Sequence, residues 1–313
     1  MSRTTFRSGA LAALSIGALI ITGGLVTGGA TASPEVDSWV VPQTQQAGEY
    51  WTAERMRAAL PGDALVAGKT PSGASESVKA GRERTVATQK ARPVRPGATA
   101  QTPVAHIGKV FFTLGGSNYV CSANAVSSAN ESTVATAGHC LNEGPGTFAT
   151  RFTFVPAYQN GSAPYGQWTA TELHAPTNWT SGGDITYDTG FAVVSSPTGI
   201  SLSDTVGASG VAFNDSRGLT YSAYGYPAAS PFTGETLHYC YGTATADPYG
   251  QSESQGIPCD MTGGSSGGPW FIGSSSSGFQ NSLNSFGYGN VRNTMFGPYW
   301  GSVIASVYDS ASS

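Results

Sequence analysis

Three things are scarce in this sequence, and each scarcity argues against a class of protein. After residue 32 no hydrophobic run is long enough to cross a bilayer. The part after Pro96 holds four Lys or Arg against twelve Asp or Glu, and this net charge of −8 argues against nucleic-acid binding. The four cysteines form no C-x-x-C pair and no Cys/His cluster with the spacing of metal ligands, so we expect no bound metal.

The first 32 residues have the three parts of a secretory signal peptide. Arg3 and Arg7 supply a positive start, residues 11–26 are apolar, and Ala30-Thr31-Ala32 matches an A-x-A cleavage site. Small residues interrupt the apolar run and no basic stop-transfer cluster follows, which disfavours a membrane anchor. We therefore predict a secreted, extracellular protein that has no membrane contact once the signal is removed.

The segment 33–100 has a composition of its own. Nine Lys or Arg lie between residues 33 and 96, ahead of the acidic part. Good helix formers over Glu49–Leu60 predict a helix that stops at Pro61-Gly62. Residues 68–100, rich in Gly, Ser, Ala, Arg and Pro, have the composition of an exposed linker. We predict a removable pro-segment and linker; the alternative is a disordered tail that persists in the mature protein.

Two motifs in the remaining part, 101–313, suit nucleophilic chemistry. Glycines flank Ser266 on both sides, as a catalytic serine requires if backbone N–H groups are to approach the oxygen of a carbonyl under attack. Gly264 and Ser266 itself are the expected N–H donors. Because glycine and serine also cluster in plain loops, a partner is needed, and His139 in Thr136-Ala137-Gly138-His139-Cys140 supplies a base.

An imidazole base needs a carboxylate that fixes its tautomer and stabilises its charged form. Asp184 and Asp188 both precede the apolar strand Gly190–Val194. Asp188 enters that strand directly, which suits an aspartate held away from water, whereas Asp184 follows a flexible Ser-Gly-Gly turn. We prefer Asp188.

The rest of 101–313 consists of short β-branched or aromatic runs broken by Gly, Pro, Asn and Ser, with one possible turn of helix near its end. Such a pattern predicts an all-β sandwich or barrels. The histidine falls in the first group of strands (about 104–200) and the serine in the second (about 205–300), which favours two barrels with a cleft between them. Sequence order favours disulfides Cys121–Cys140 and Cys240–Cys259 in an exported chain.

The motifs around His139, Asp188 and Ser266 follow one another in the order typical of a known family. They resemble those of the trypsin-like (chymotrypsin-fold) serine endopeptidases, and Phe154-Val155-Pro156 and Gly225-Tyr226-Pro227 resemble the bacterial V8 or glutamyl-endopeptidase branch. The resemblance covers about 104–305. It implies two six-stranded antiparallel β-barrels and hydrolysis of polypeptide substrates through an acyl-enzyme without a cofactor. We expect a monomer.

Two departures from the family pattern concern activation. Ser265 stands where digestive relatives have an aspartate that pairs with a freed N-terminal amine, and no Ile-Val-Gly-Gly start is present. Activation through that ion pair is therefore not expected. We expect instead that the pro-segment blocks the cleft or assists folding.

Specificity stays open at the level of the sequence. Ser285-Phe286-Gly287 resembles the segment that pairs with substrate backbone, and Asn284 stands where glutamyl endopeptidases often carry a histidine. Asp260, six residues before the serine, matches the pocket-floor aspartate of enzymes that cut after Arg or Lys, although the V8 branch often has it without that preference. Two other classes remain: an inactive protease-fold protein that binds an extracellular partner, and a carbohydrate-binding β-domain that leaves both motifs to coincidence.

Overall fold

The computed structural model describes residues 35–42, 47–67, 78, 81–90, 104–250 and 252–313. The predicted signal peptide and most of the predicted linker lie outside these residues. Short strands dominate, and they occur in the order β1 (Val36–Val40), β2 (Leu60–Pro61), β3 (Arg84–Val86), β4 (Ile107–Leu114), β5 (Ser117–Val126), β6 (Thr133–Thr136), β7 (Thr150–Pro156), β8 (Trp168–Pro176), β9 (Gly190–Ser195), β10 (Val211–Phe213), β11 (Thr220–Gly225), β12 (His238–Thr243), β13 (Thr245–Ala246), β14 (Gln255–Pro258), β15 (Pro269–Ile272), β16 (Gln280–Leu283) and β17 (Thr294–Gly297).

The α-helices are few and short, apart from one at the C-terminus. They are α1 (Ala47–Tyr50), α2 (Ala53–Ala58), α3 (Thr177–Thr180), α4 (Leu202–Val206) and α5 (Ser302–Ser312). In the described part of the chain, none of these helices has the length and hydrophobicity that a membrane span requires.

The first lobe is a closed antiparallel barrel of six strands, β4 to β9. Neighbours in the order β7-β4-β5-β6-β9 are hydrogen-bonded, and pairing of β9 with β8 and of β8 with β7 closes the ring. Alternation along β4 gives the strand two buried faces. Val110 and Phe112 point into the barrel core, whereas Ile107 and Phe111 join a second apolar cluster outside it.

The second lobe has its own core around Tyr221, Ile257 and Trp270. A six-stranded sheet in the order β12-β11-β15-β16-β10-β3 packs there with the three-stranded sheet β13-β14-β17. Helix α5 packs against the first barrel through Tyr308, whose ring meets Phe191 of β9. The all-β class, the two lobes and the short C-terminal helix that the sequence predicts are confirmed.

The described part of the leader, 33–100, pairs with both lobes. Strand β1 adds to β8, β2 runs parallel to β5, and β3 pairs with β10. The composition of 68–100 predicts an exposed linker, yet Arg84–Val86 is part of a sheet because its backbone groups complete the free edge of β10.

The helix predicted over Glu49–Leu60 is interrupted. Thr52 adopts an extended conformation and caps α2, accepting a hydrogen bond from the Arg55 N–H at 3.2 Å. Trp51, just before the cap, is buried and donates its indole N–H to the Arg151 carbonyl at 2.6 Å. Propensity alone favours one helix, but docking of the indole separates it into α1 and α2.

Candidate active site

His139 lies on a short turn that the fold holds at both ends. Strand β6 leads into the 3₁₀ turn Gly138–Cys140, and the Cys121–Cys140 disulfide ties that turn to β5. The second disulfide, Cys240–Cys259, joins β12 to the residue that follows β14, so both predicted pairings are present.

The imidazole of His139 and the carboxylate of Asp188 are both fully buried and face each other. His139 Nδ1 lies 2.8 Å from Asp188 Oδ2, and the His139 backbone N–H donates to Oδ1 at 2.7 Å. The Ser285 hydroxyl also donates to Oδ2. The three bonds fix the carboxylate, and the ring with it.

The pKa of Asp188 reflects two opposed effects. Burial alone would raise it, but the neighbouring His139 and the hydrogen bonds to the carboxylate hold it below its usual range. The alternative, Asp184, caps the 3₁₀ turn Ile185–Tyr187 by accepting from the Thr186 N–H at 3.0 Å. The structure thus places Asp188, and not Asp184, against the imidazole.

Ser266 stands on a turn that only glycine permits. Gly264 and Gly267 have φ of +93° and +80°, and a Cβ at Gly267 would overlap the Thr136 hydroxyl and the Ser122 carbonyl. The Ser266 carbonyl accepts from the Ser122 N–H at 2.7 Å. The serine turn is therefore pressed against the end of the strand that leads into His139.

On the imidazole, Nδ1 is engaged but Nε2 is not. His139 Nε2 is buried and has no hydrogen-bond partner within the described ranges. A buried polar nitrogen normally has a hydrogen-bond partner, so an unpartnered one calls for an explanation.

A cavity of about 350 Å³ opens beside Ser266. Predicted substrate residues Ser285, Phe286 and Gly287 line it. Other lining residues are not predicted from the sequence: Met261, Thr262 and Gly263 stand in the run that leads to Ser266, whereas no motif marks Asp63, Ala229, Tyr288, Gly289, Thr294 and Met295.

Two predicted substrate residues occupy different positions. Asp260 is exposed and does not line the cavity. Asn284 is fully buried, and its amide is used internally: it donates to the carbonyls of Tyr224 and Ser265 at 2.8 and 3.0 Å and accepts from the Trp270 indole at 2.7 Å. This amide braces the serine turn from behind.

One lining residue comes from the leader. Asp63 belongs to the 3₁₀ turn Gly62–Leu65 that follows β2, and its carboxylate packs directly on Gly263, where a Cβ would overlap it. Gly62 packs equally closely on Cys121. The leader thus enters the cavity beside the serine turn.

Cys121, His139 and Cys140 are close enough together to suggest a metal site. Both sulfurs, however, form the disulfide, and a metal requires thiolates. These residues do not fit a metal ion.

Comparison with solved structures identifies close relatives. The protease Anisep from Arthrobacter nicotinovorans is 67% identical, with 68% of this chain and 97% of that chain covered and a TM-score of 0.67. A thermostable serine protease, AL20, from an extremophilic microorganism is 55% identical, with 67% and 97% covered and a TM-score of 0.65. A Glu endopeptidase at 18% identity, with 74% and 97% covered and a TM-score of 0.53, shares the fold.

Sequence comparisons add less. No family model matches the chain. An extracellular metalloprotease of Bacillus subtilis is 29% identical over 136 residues, which are 43% of this chain. The chain spans about a third (33%) of the length of that curated relative.

A closed barrel lobe and a second β-lobe, with the His139–Asp188 pair on the first and the Ser266 turn on the second, define a protein of the chymotrypsin-fold class. With 55–67% identity over nearly the whole of two solved proteases, the chain belongs to the family of trypsin-like serine proteases.

Proposed function

We propose that this chain is a secreted serine endopeptidase, made as a precursor, that hydrolyses peptide bonds through an acyl-enzyme. Ser266 is the nucleophile, His139 the general base and acid, and Asp188 the residue that orients His139. The observation that carries this proposal is the buried His139–Asp188 pair, together with a Ser266 turn whose Gly267 packs on Thr136 and Ala137, just before His139.

The proposed reaction uses only these three residues, two backbone N–H groups and water. Ser266 Oγ attacks the scissile carbonyl carbon while its proton passes to His139 Nε2, and Asp188 stabilises the imidazolium that forms. The same proton then goes to the leaving amine as the peptide bond breaks. Water attacks the ester, giving one proton to Nε2, and that proton returns to Ser266 Oγ as the acid product leaves.

Charge develops on the carbonyl oxygen at each attack. The N–H groups of Gly264 and Ser266 are the proposed donors to that oxygen. The positive φ of Gly264 and its close packing on Ala228 support this role, because they fix the direction of its peptide group.

The leader, 33–100, is proposed to be a pro-segment that keeps the precursor inactive. The support is the position of Asp63, which lines the cavity beside Ser266 and packs on Gly263. A substrate residue and the Gly62–Leu65 turn would compete for the same space.

The substrate class follows from what lines the cavity. Apart from Asp63 of the leader, its described lining carries no charged side chain: Met261, Phe286 and Met295 supply apolar surface, and the hydroxyl-bearing residues Thr262, Ser285, Tyr288 and Thr294 also line it. We therefore expect an uncharged residue before the scissile bond, with apolar residues favoured, rather than Glu, Arg or Lys.

The test compares the secreted, processed protein with Ser266→Ala. Both are treated with a fluorophosphonate probe and then incubated with a peptide library whose cleaved bonds are read by mass spectrometry. We expect labelling and cleavage after apolar residues in the wild type and neither in the variant. Absence of labelling in the processed, disulfide-bonded wild type would contradict the proposal and favour an inactive binding protein.

A further inference from the structure

Lys109 is a buried charge outside the site described above. It lies on β4, is only 2% exposed, and is one of just four Lys or Arg after Pro96. An ammonium taken out of water loses several kcal/mol unless its surroundings compensate. Packing alone does not explain why a charged side chain is buried here.

The surroundings of Lys109 compensate through one hydrogen bond and two rings. Nζ donates to the Gly234 carbonyl at 2.9 Å and lies 4.3 Å from the centre of the Tyr158 ring and 5.1 Å from that of Phe111. Glu235 stands nearby and accepts from the Tyr158 hydroxyl. The Nζ thus has a fixed direction, towards Gly234.

Gly234 closes the loop that connects β11 to β12, residues 226–237, back on itself. Its N–H donates to the Pro227 carbonyl at 2.8 Å, and a Cβ added to it would lie 2.8 Å from Ala228 Cβ and 3.3 Å from Lys109 Nζ. Lys109, Gly234 and Ala228 are therefore in continuous contact.

The same loop supports the peptide groups next to the nucleophile. The Ala228 N–H donates to the Gly263 carbonyl at 2.6 Å, and the Thr262 hydroxyl donates to the Ala229 carbonyl at 2.7 Å. A Cβ on Gly264 would lie 2.7 Å from Ala228 Cβ. Any shift of Ala228 would reach Gly263 and Gly264 directly.

Strands β4 and β5 hold the two ends of this loop. Ser122, the cross-strand partner of Lys109, accepts from the Tyr226 N–H at 2.8 Å and donates to the Gly264 carbonyl at 2.9 Å. Cross-strand partners point to the same face of a sheet. Ser122 thus fixes the start of the loop and Lys109 its end.

We propose that Lys109 is a positioning residue for the oxyanion-binding backbone of this site, acting through the Gly234 carbonyl and Ala228 on Gly263 and Gly264. The inference rests on the proposed endopeptidase function. On this inference, the buried charge of Lys109 increases the rate of acyl transfer and is not needed for folding.

The charge of Lys109 is also sensitive to pH. Burial lowers the pKa of Lys109 to about 8, against an opposing effect of Glu235. Among the described residues, the other titratable groups near it are Tyr158 and Tyr226, whose pKa values burial raises well above the usual range, and Arg57 of the leader, which acts on Tyr158. With the leader in place the ammonium is therefore lost as the pH rises through about 8; if the processed enzyme keeps Lys109 buried, its kcat should fall over that interval.

The test replaces Lys109 with Met, which keeps the length of the side chain but not the charge. Each variant is expressed as the full chain, and the secreted protein is assayed after active-site titration. For Lys109→Met we expect kcat to fall about tenfold, less than the 10²–10³ that follows complete loss of an oxyanion donor, with KM little changed. The decline of kcat near pH 8 should disappear. The Tm at pH 7 should be equal or higher, since an apolar residue relieves the buried charge.

A second variant and a control make the result specific. Gly234→Ala pushes on Ala228 from the other side while Lys109 stays, so kcat should fall and the decline near pH 8 should remain. Arg217→Met is the matched control, because Arg217 pairs with Glu253 and Tyr299 elsewhere on the second lobe, and its kcat should match the wild type.

Two results would overturn the inference: a Lys109→Met protein with wild-type kcat and pH profile, or one whose kcat is lost only in proportion to its Tm. If the wild type itself fails to react with a fluorophosphonate, the proposed function fails first and this inference falls with it.

Discussion

Asp188 shows how much one carboxylate does in this site. Its Oδ1 accepts the His139 backbone N–H, and its Oδ2 faces both His139 Nδ1 and the Ser285 hydroxyl. Each of these contacts needs an oxygen acceptor on residue 188. His139 Nδ1 must also carry the ring proton, because only then is Nε2 free to take the proton of Ser266. The position therefore tolerates no amide.

We expect Asp188→Asn to lower kcat by about 10⁴-fold, the loss typical of a triad held in the wrong tautomer. The amide oxygen stays with the His139 backbone N–H, so the NH₂ group faces Nδ1 and moves the ring proton to Nε2, which can then no longer accept from Ser266. Single-turnover kinetics measures the effect. Asp184→Asn is the control, since asparagine caps a helix as well as aspartate does, and its kcat should not change. Equal rates for the two variants would refute the role of Asp188.

Among the elements, the 3₁₀ turn Gly62–Leu65 is the one with a regulatory role in our proposal. Strand β2, which precedes the turn, pairs with β5. Within the turn, Gly62 packs on Cys121 and the Asp63 carboxylate packs on Gly263. Backbone pairing of β2 with β5 brings the turn to the cavity, and the Asp63 carboxylate forms part of the cavity wall.

We expect an Asp63→Ala precursor to react with a fluorophosphonate about tenfold faster than the wild-type precursor, because a single side-chain contact is typically worth 1–2 kcal/mol. The rate is measured on purified, uncleaved protein. Glu54→Ala, which removes an exposed carboxylate from α2 of the same leader, serves as control. An unchanged rate for Asp63→Ala would mean that this side chain does not limit access to Ser266.

The elements also show what the sequence can and cannot predict. Short strands, the cysteine spacing and the motifs around His139 and Ser266 are local patterns, and they predicted the β-lobes and both disulfides. The sequence predicts that Asn284 faces substrate, yet the carbonyls of Tyr224 and Ser265 and the indole of Trp270 satisfy its amide. The proposed roles of Asp63 and Lys109 depend on contacts with Gly263 and Gly234, which are distant in the sequence. No local sequence pattern reveals such contacts.

On the scale of the whole molecule, the leader and the two lobes share one apolar cluster. Trp51 and Met56 pack with Ile107, Phe111 and Tyr226, so the leader covers the outer face of β4 and a residue next to β11 of the second lobe. The same β4 carries Lys109. Removal of the leader would therefore expose apolar surface on the strand that supports the serine turn.

The strength of this attachment can be measured in the Ser266→Ala precursor, which cannot cleave itself. Trp51 is 1% exposed, and its truncation to alanine should cost about 3–5 kcal/mol of packing. We expect Trp51→Ala to accelerate amide hydrogen exchange across residues 36–42 and 47–61 by about 10² or more while residues 104–250 and 252–313 change little, because the leader opens before the lobes do. Trp39→Ala is the matched control, since that indole is 43% exposed on β1 and should cause a much smaller change. Acceleration spread evenly over the whole chain would instead mean that leader and lobes unfold as one unit, and release of the leader would then require disruption of the protease lobes themselves.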